Sequence, residues 1–473
     1  MKRKQIMMVF GTRPEAIKLA PVIWHSRNHN IDLCLVWSGQ HYDYELGRVF
    51  FEELKLPDPD YNLKVGSGTH GQQTARIIER LEKVVLEENP AVIVAQGDTN
   101  TVLGAALVAA KCKIPFAHVE AGLRSYDRTM PEEINRIVAD AVAELCFAPT
   151  ERAALNLLYE GIFPWKIFIT GNTIVDVVLK YREKAVKEAE KLLTELALKE
   201  YCLATVHRAE NTDNPTRLKN IFKALNTIAD QIPVVFPIHP RTRNKAEKYS
   251  ILKLLEKENI YLTKPLGYFK FLGLLAKTKI VLTDSGGVQE EALTLKTPCI
   301  TLRYNTERPE TVEAGGNILA GTEVNEIIQC FKHTIKHINE IKEKLKKKPN
   351  PLGDGKAGQK ITQILQTYIQ KEKKITSPDY RHTGHPTYIL VKGKKYAEIT
   401  IKELTQKYPF IHITLLYNEK GKPRLPQENT IIKEKYLLRI WGPEYKLKSL
   451  NSSKNSFKQT IQIGFINQKT LPH

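Results

Sequence analysis

Along the first 370 residues, apolar runs of four to six residues recur, and each stops at a short polar motif before a helix-patterned segment takes over. IMMVFG (residues 6–11) runs into GTRPE, 91–95 into QGDTNT, 202–206 into HRAEN, 234–238 into HPRT, 280–283 into DSGG and 299–302 into RYNTERPE. Runs this short, separated by helical patterns, read as strands buried on both faces, which means parallel sheets built from βαβ units. The order restarts after a charged helix at about 173–199. The expectation is an α/β fold of two Rossmann-like domains, residues 1–172 and 173–372, with a last helix at about 356–370 closing the second. Such sheets hold ligands beyond the carboxyl ends of their strands, so the motifs should line a cleft between the two domains.

From about Lys373 the register changes. Pro378, Gly384 and Pro386 mark a linker, and TYILVKG, KYAEITI, IHITLLYN and KYLLRIWG alternate as strands do, with KELTQKY a candidate helix. A small α+β accessory extension over 373–473 is expected, with a polar, disordered end from Ser449. This extension also carries most of the charge. The chain's net charge is +19, but residues 371–473 hold 20 Lys and Arg against 8 Asp and Glu, while the first 370 hold 51 against 44. The main body therefore lacks a nucleic-acid signature, and its small excess suits anionic small substrates. The Lys-rich tail offers itself to an anionic partner, but a solvated basic surface on an accessory domain is the favoured explanation.

Six cysteines (Cys34, Cys112, Cys146, Cys202, Cys299, Cys330) show no metal-type spacing and sit mostly in apolar runs, as reduced core thiols do. The basic-then-apolar N-terminus is too short to be a signal peptide and is broken by GTRPE. No apolar stretch approaches a membrane span, so a cytoplasmic protein is expected.

The stretch HVEAGLRSYDRTMPEEINR (118–136) concentrates the chemistry. It places Glu120 at a strand end, then Pro131 at a helix start with Glu132 and Glu133 by the positive end of the helix dipole, and Arg136 one turn on. Asp98, in QGDTNT, ends a neighbouring strand, so Asp98, Glu120 and Glu132 form a set of carboxylates suited to moving protons. GTRPEAIK offers a glycine turn with Arg13 and Lys18 at a helix start, where backbone N–H groups favour an anion. DSGGVQEEA is a second such turn: Ser285, Gly286 and Gly287 face a phosphate, Asp284 or Ser285 caps the helix, and Glu291 suits a ribose diol. Arg308 reaches the same mouth. His207 and His239 follow successive strands directly, a repetition that favours function over a structural role. Neither has partners at metal spacing, and no metal or cofactor is expected.

In their order along the chain, GTRPEAIK, GQH, GDTNT, HVEAGLR, PEEINR, FAPTE, TGNTIVD, HRAEN, DSGGVQEEA and TERPE resemble the non-hydrolysing UDP-N-acetylglucosamine 2-epimerases over about residues 5–370. The resemblance implies a glycosyltransferase B-like fold, a homodimer, and metal-free interconversion of UDP-GlcNAc and UDP-ManNAc for cell-surface polysaccharide synthesis. The implied route is loss of UDP from C1 with removal of the C2 proton, then re-addition to the 2-acetamidoglucal. It further implies that Arg13, His207, Ser285, Gly286, Gly287, Glu291 and Arg308 hold UDP, with Phe271 near the uracil and Gln40, His41 and His239 lining the site. Lys18, Asp98, Glu120, Glu132 and Arg136 would surround the sugar. Asp98, Glu120 and Glu132 are the acid/base candidates, without a choice among them. Two departures from many bacterial members, Ala209 after Arg208 and Tyr42-Asp43 after His41, fall where those proteins bind a second, activating UDP-GlcNAc. That activation is not carried over. An epimerase for a modified UDP-sugar, a hydrolysing 2-epimerase and, further off, a UDP-sugar glycosyltransferase are the alternatives.

Overall fold

The computed structural model describes residues 6–39, 51, 53–371, 386–409, 411–443, 446–447 and 450. The chain forms two compact units, residues 1–375 and 376–473. Two all-parallel sheets make up the first. One contains β1 (Ile6–Phe10), β2 (Leu33–Trp37), β3 (Tyr61–Asn62), β4 (Val92–Gln96), β5 (Phe116–Val119), β6 (Leu145–Ala148) and β7 (Ile167–Ile169), in the order β3-β2-β1-β4-β5-β6-β7. The other contains β8 (Cys202–Thr205), β9 (Val234–Pro237), β10 (Ile260–Thr263), β11 (Ile280–Thr283), β12 (Cys299–Thr301) and β13 (Asn317–Leu319), in the order β10-β9-β8-β11-β12-β13. Each sheet reverses direction beside its first strand, between β1 and β4 and between β8 and β11. These are the two topological switch points, and both sheets are doubly wound as the alternation of runs requires.

One buried apolar cluster is shared by the two sheets. It joins Met8, Phe10 and Val94 of the first to Leu203, Val235 and Val281 of the second. The helix Thr173–Glu195 supplies the connection through Val178, Tyr181, Ala185 and Ala189. It packs so tightly against the helix Tyr268–Lys277 that a Cβ on Gly273 would collide with the carbonyl of Ala185. The last helix of this unit, Ala357–Gln370, packs against the helix Arg13–Asn28 of the first sheet, with Thr362 Oγ1 donating to the Val22 carbonyl at 3.4 Å. Its two leading N–H groups, from Ala357 and Gly358, are held by Asp176 at 3.2 and 2.9 Å.

The helix Arg13–Asn28 starts within the GTRPE motif. Pro14 fits the first turn, and Thr12 with Glu15 closes a capping box. The second unit has an antiparallel sheet of β14 (Pro386–Lys392), β15 (His412–Tyr417), β16 (Pro423–Arg424) and β17 (Leu437–Pro443), in the order β14-β17-β15-β16. KELTQKY is a helix, Ile401–Lys407, started by a Thr400–Glu403 capping box. KYAEITI does not form the expected strand. It holds part of a 3-10 turn, Gly393–Tyr396, and one bridge, Thr400 to Ile431. Its alternating apolar residues Ile399 and Ile401 pack in the unit's core with Leu404, Leu438 and Ile440, Ile401 buried and Ile399 partly buried, so the pattern records packing and not strand pairing.

No helix among the described residues is long and apolar enough to cross a membrane. The six cysteines are thiols, and no disulfide forms among the described residues.

Candidate active site

At the first switch point, the carboxyl ends of β1, β4 and β5 carry Gly11, Gln96 and Glu120. A Cβ on Gly11 would collide with Ser38 Oγ and Thr101 Oγ1, so only glycine lets these strand ends and the next helix converge here. The anion cradle expected of the GTRPE backbone is already filled from within. Glu15 Oε2 accepts the N–H groups of Gly11 and Thr12 at 2.9 and 2.7 Å, and Glu15 Oε1 accepts Thr99 Oγ1 at 2.6 Å. Burial pushes the Glu15 carboxyl up to about 7 against these hydrogen bonds. Arg13, exposed at the start of the helix, is what this turn can present to a ligand.

Lys18 lies one turn further along the helix and is buried. Its Nζ is 2.5 Å from Glu120 Oε1 and 3.0 Å from Glu290 Oε2. Glu290 belongs to the helix Gly286–Leu295 of the second sheet, so this contact joins the two halves of the unit. Arg308 completes the group: its Nε pairs with Glu290 Oε1, and its Nη2 lies 3.5 Å from Glu120 Oε1. Asn172 Nδ2 donates to Glu120 Oε1 and Glu290 Oε1, both at 3.0 Å, and Gln96 donates to Glu120 Oε2. Two cations and two carboxylates thus share a buried, formally neutral cluster.

The two carboxyls respond in opposite directions. Burial pushes Glu120 up, but Lys18, Arg308 and the hydrogen bonds from Lys18 and Asn172 outweigh it, and Glu120 is held below the usual range. At Glu290 burial prevails over Arg308 and Lys18, with Glu120 adding to it, and the carboxyl is raised. Glu120 also adopts a left-handed backbone, φ 73°, costly for a residue with a side chain and typical of positions held for function.

The ends of β4 and β5 are braced from behind. His118 Nδ1 lies 2.6 Å from Asp140 Oδ1, and its Nε2 lies 2.8 Å from the carbonyl of Gly97, next to Asp98. Asp140 also accepts the N–H of Gly122 at 3.0 Å and pairs with Arg124 at 2.7 Å. Asp98 itself, partly exposed, pairs with Arg136 at 2.5 Å.

Glu132 and Glu133, adjacent in the helix Pro131–Val142, are used differently. Glu133 is buried; it accepts Ser125 N, Ser125 Oγ and Tyr126 N at 2.9, 3.0 and 3.1 Å and pairs with Arg136 at 2.8 Å, which orders the loop after Glu120. Glu132 is half-buried and makes no hydrogen bond or ion pair among the described residues.

At the second switch point, Ser285, one of the two expected caps, takes the cap position of the next helix, and Asp284, which follows β11, is used otherwise. It accepts the N–H groups of His207 and Arg208 at 3.1 and 2.9 Å and Asn211 Nδ2 at 3.1 Å, and so shapes the HRAEN loop. Ser285 occupies the cap position without a capping hydrogen bond, and beside it an added Cβ on Gly286 would meet only Glu307 and Arg208 at 3.7 and 3.8 Å. This helix start, unlike the GTRPE turn, is not filled by its own side chains. The rings of His207 and His239 lie 5.9 Å apart, and burial lowers both. His239 Nδ1 accepts the N–H of Arg241 at 3.2 Å and caps the helix Pro240–Lys248, a structural use. Glu291 is buried and raised to about 7 by burial, and Phe271 is half-buried against the shared core. Gln40 and His41 lie outside the described residues.

The side chains that sequence reasoning passed over are Glu290 and Asn172. QEEA signalled a carboxylate on that helix, and TGNT is a helix-cap pattern, but neither says which way a side chain points. Among the described residues no three His, Cys, Asp or Glu side chains form a metal-holding group.

Two doubly wound sheets, with charged strand ends meeting at their switch points, define a two-lobed α/β enzyme of the glycosyltransferase B type. A family model described as UDP-N-acetylglucosamine 2-epimerase matches residues 25–366, and the chain belongs to that family. The UDP-N-acetylglucosamine 2-epimerase of Methanocaldococcus jannaschii is 48% identical over 367 residues, covering 76% of this chain and 98% of its own. A crystal structure of the enzyme from that organism, in complex with UDP-GlcNAc and UDP, matches with a TM-score of 0.70 at 48% identity, covering 77% of this chain and 99% of that one. The UDP-2,3-diacetamido-2,3-dideoxy-D-glucuronate 2-epimerase of Pseudomonas aeruginosa is 40% identical over 70% of this chain and 92% of its own.

Proposed function

We propose that this protein interconverts UDP-GlcNAc and UDP-ManNAc by eliminating UDP and adding it back. The C2 proton passes to a carboxylate as the C1–oxygen bond breaks and its electrons leave with UDP. The 2-acetamidoglucal then receives UDP at C1 and a proton at C2 on the opposite face. The observation that carries this reading is the buried cluster of Lys18, Glu120, Glu290 and Arg308, in which cations able to stabilise a departing diphosphate adjoin carboxylates.

In this reading the first lobe, residues 1–172, handles the sugar through Lys18, Asp98, Glu120, Glu132 and Arg136. The second, residues 173–372, holds UDP through His207, Ser285, Gly286, Gly287, Glu291 and Arg308, with Phe271 by the uracil and Arg13 reaching in from the first. Glu132 is favoured over Glu133 as an acid/base group because Glu133 already serves the loop at Ser125 and Tyr126. The enzyme acts as a cytoplasmic homodimer and supplies cell-surface polysaccharide synthesis, with residues 373–473 as an accessory extension. The likeness to the Pseudomonas aeruginosa relative supports a second reading, the same C2 chemistry on a diacetamido uronate.

Proton NMR of the protein with UDP-GlcNAc in deuterium oxide tests both. A manno anomeric signal with loss of the C2 proton coupling is expected. An unchanged UDP-GlcNAc spectrum, with exchange on the diacetamido uronate, would transfer the assignment to the second reading.

A further inference from the structure

Glu290 stands apart from the carboxylates assigned above. It faces Lys18 from the helix Arg13–Asn28, Glu120 from the end of β5, Asn172 from the cap of the helix Thr173–Glu195, and Arg308 from the loop after β12. On its own helix Glu291 is its neighbour, with Tyr268 beyond that. Glu290 Oε1 is fully engaged by Arg308 and Asn172. Oε2 is buried and in ion contact with Lys18 at 3.0 Å, yet it makes no hydrogen bond. That oxygen therefore meets one cation and no other donor, which leaves a lone pair open to a proton.

The charges set the consequence. Two cations and two carboxylates balance before any ligand enters. A UDP-sugar diphosphate brings two negative charges to the same Lys18 and Arg308, so the cluster's own balance turns net negative, which burial disfavours. Protonating one carboxylate relieves it. Glu120 accepts hydrogen bonds at both oxygens, from Lys18 and Asn172 on one and Gln96 on the other, which favour its ionised form.

We propose that binding of the UDP-sugar diphosphate is coupled to uptake of a proton by Glu290 at Oε2. This rests on the proposed reading of the site, in which Lys18, beside the sugar, and Arg308, on UDP, stabilise the departing diphosphate. The proton comes from solvent and stays on the carboxyl while the nucleotide is bound, so the cluster enters catalysis with one negative charge fewer. Glu290 is in this sense a positioning residue, adjusting the charge around Lys18 and Arg308 and not itself exchanging the C2 proton.

Titration calorimetry of the full-length protein with UDP-GlcNAc, in buffers of differing ionisation heat at one pH, counts the protons. UDP-GlcNAc is the suitable probe because its diphosphate, esterified at both ends, does not itself titrate near neutrality. The expected result is uptake of about one proton per site, with affinity falling about tenfold per pH unit across the window between the unliganded and liganded titrations. Glu290→Gln should remove both the uptake and the pH dependence while UDP-GlcNAc still binds. Heats independent of buffer in the native protein, or uptake that persists in Glu290→Gln, would overturn the inference with the reading of the site intact. Absence of UDP-GlcNAc binding by the native protein would overturn the reading itself, and the inference with it. Should Glu290→Gln fail to fold, the same count in His207→Asn serves, because burial lowers this imidazole and it is the other group beside the nucleotide able to take up a proton: uptake that persists there supports Glu290, and uptake that is lost overturns the inference.

Discussion

Lys18, on the leading helix of the first sheet, and Glu290, on a helix of the second, lie 3.0 Å apart in a buried ion pair that crosses the cleft. Neither could have this environment from its own sheet alone. Joining the sheets therefore determines both the charge state and the geometry of the site.

Removing Lys18 leaves Glu120 and Glu290 with one cation between them. Lys18→Met is expected to lower stability by about 3 kcal/mol, the usual scale for a buried charge deprived of its partner. Lys18→Met with Glu290→Gln should recover part of that, because one unpaired anion is removed as well. Urea midpoints of the two single variants and the double variant measure the coupling; purely additive losses would contradict the shared cluster.

Glu132 and Glu133 should give opposite signatures. Glu132→Gln is expected to leave the melting temperature near that of the native protein and lower kcat by about 100-fold or more. Glu133→Gln forfeits part of the bonding to Ser125, Tyr126 and Arg136 and is expected to cost about 1–3 kcal/mol of stability. A thermal melt and a steady-state assay on each variant separate the two roles.

Glu15 predicts a pH dependence of stability. Its folded carboxyl is raised from 4.5 to about 7, so the native state holds a proton that the unfolded chain has released across that window. Its contribution is present below the unfolded value and is lost as pH rises to about 7. Glu15→Gln can still receive the N–H groups of Gly11 and Thr12 but does not ionise. Its stability, measured by urea midpoints at about pH 5 and about pH 8, should decline less between them than the native protein's, by up to about 3 kcal/mol. An equal decline in both would refute the assignment.

The strands and helices of the first unit were legible because they depend on short-range patterning. A four-residue apolar run such as Ile280–Thr283, followed by DSGG, specifies a buried strand and a turn wherever it lies in the fold. The second unit was read less well: the alternation in KYAEITI reflects contact with Leu404 and Leu438, information that a local pattern does not contain.

The sequence by itself determined two parallel sheets, the polar motifs at their strand ends, and the family to which their order belongs. Only the tertiary structure decided which carboxylates serve which purpose. Neighbouring residues on a helix point about 100° apart, and the phase of the helix is set by what it packs against. That is why Glu133 and not Glu132 is committed to the loop, and why Glu290 faces Lys18 and Arg308 while Glu291, the residue the motif suggested, lies beside it in the buried face.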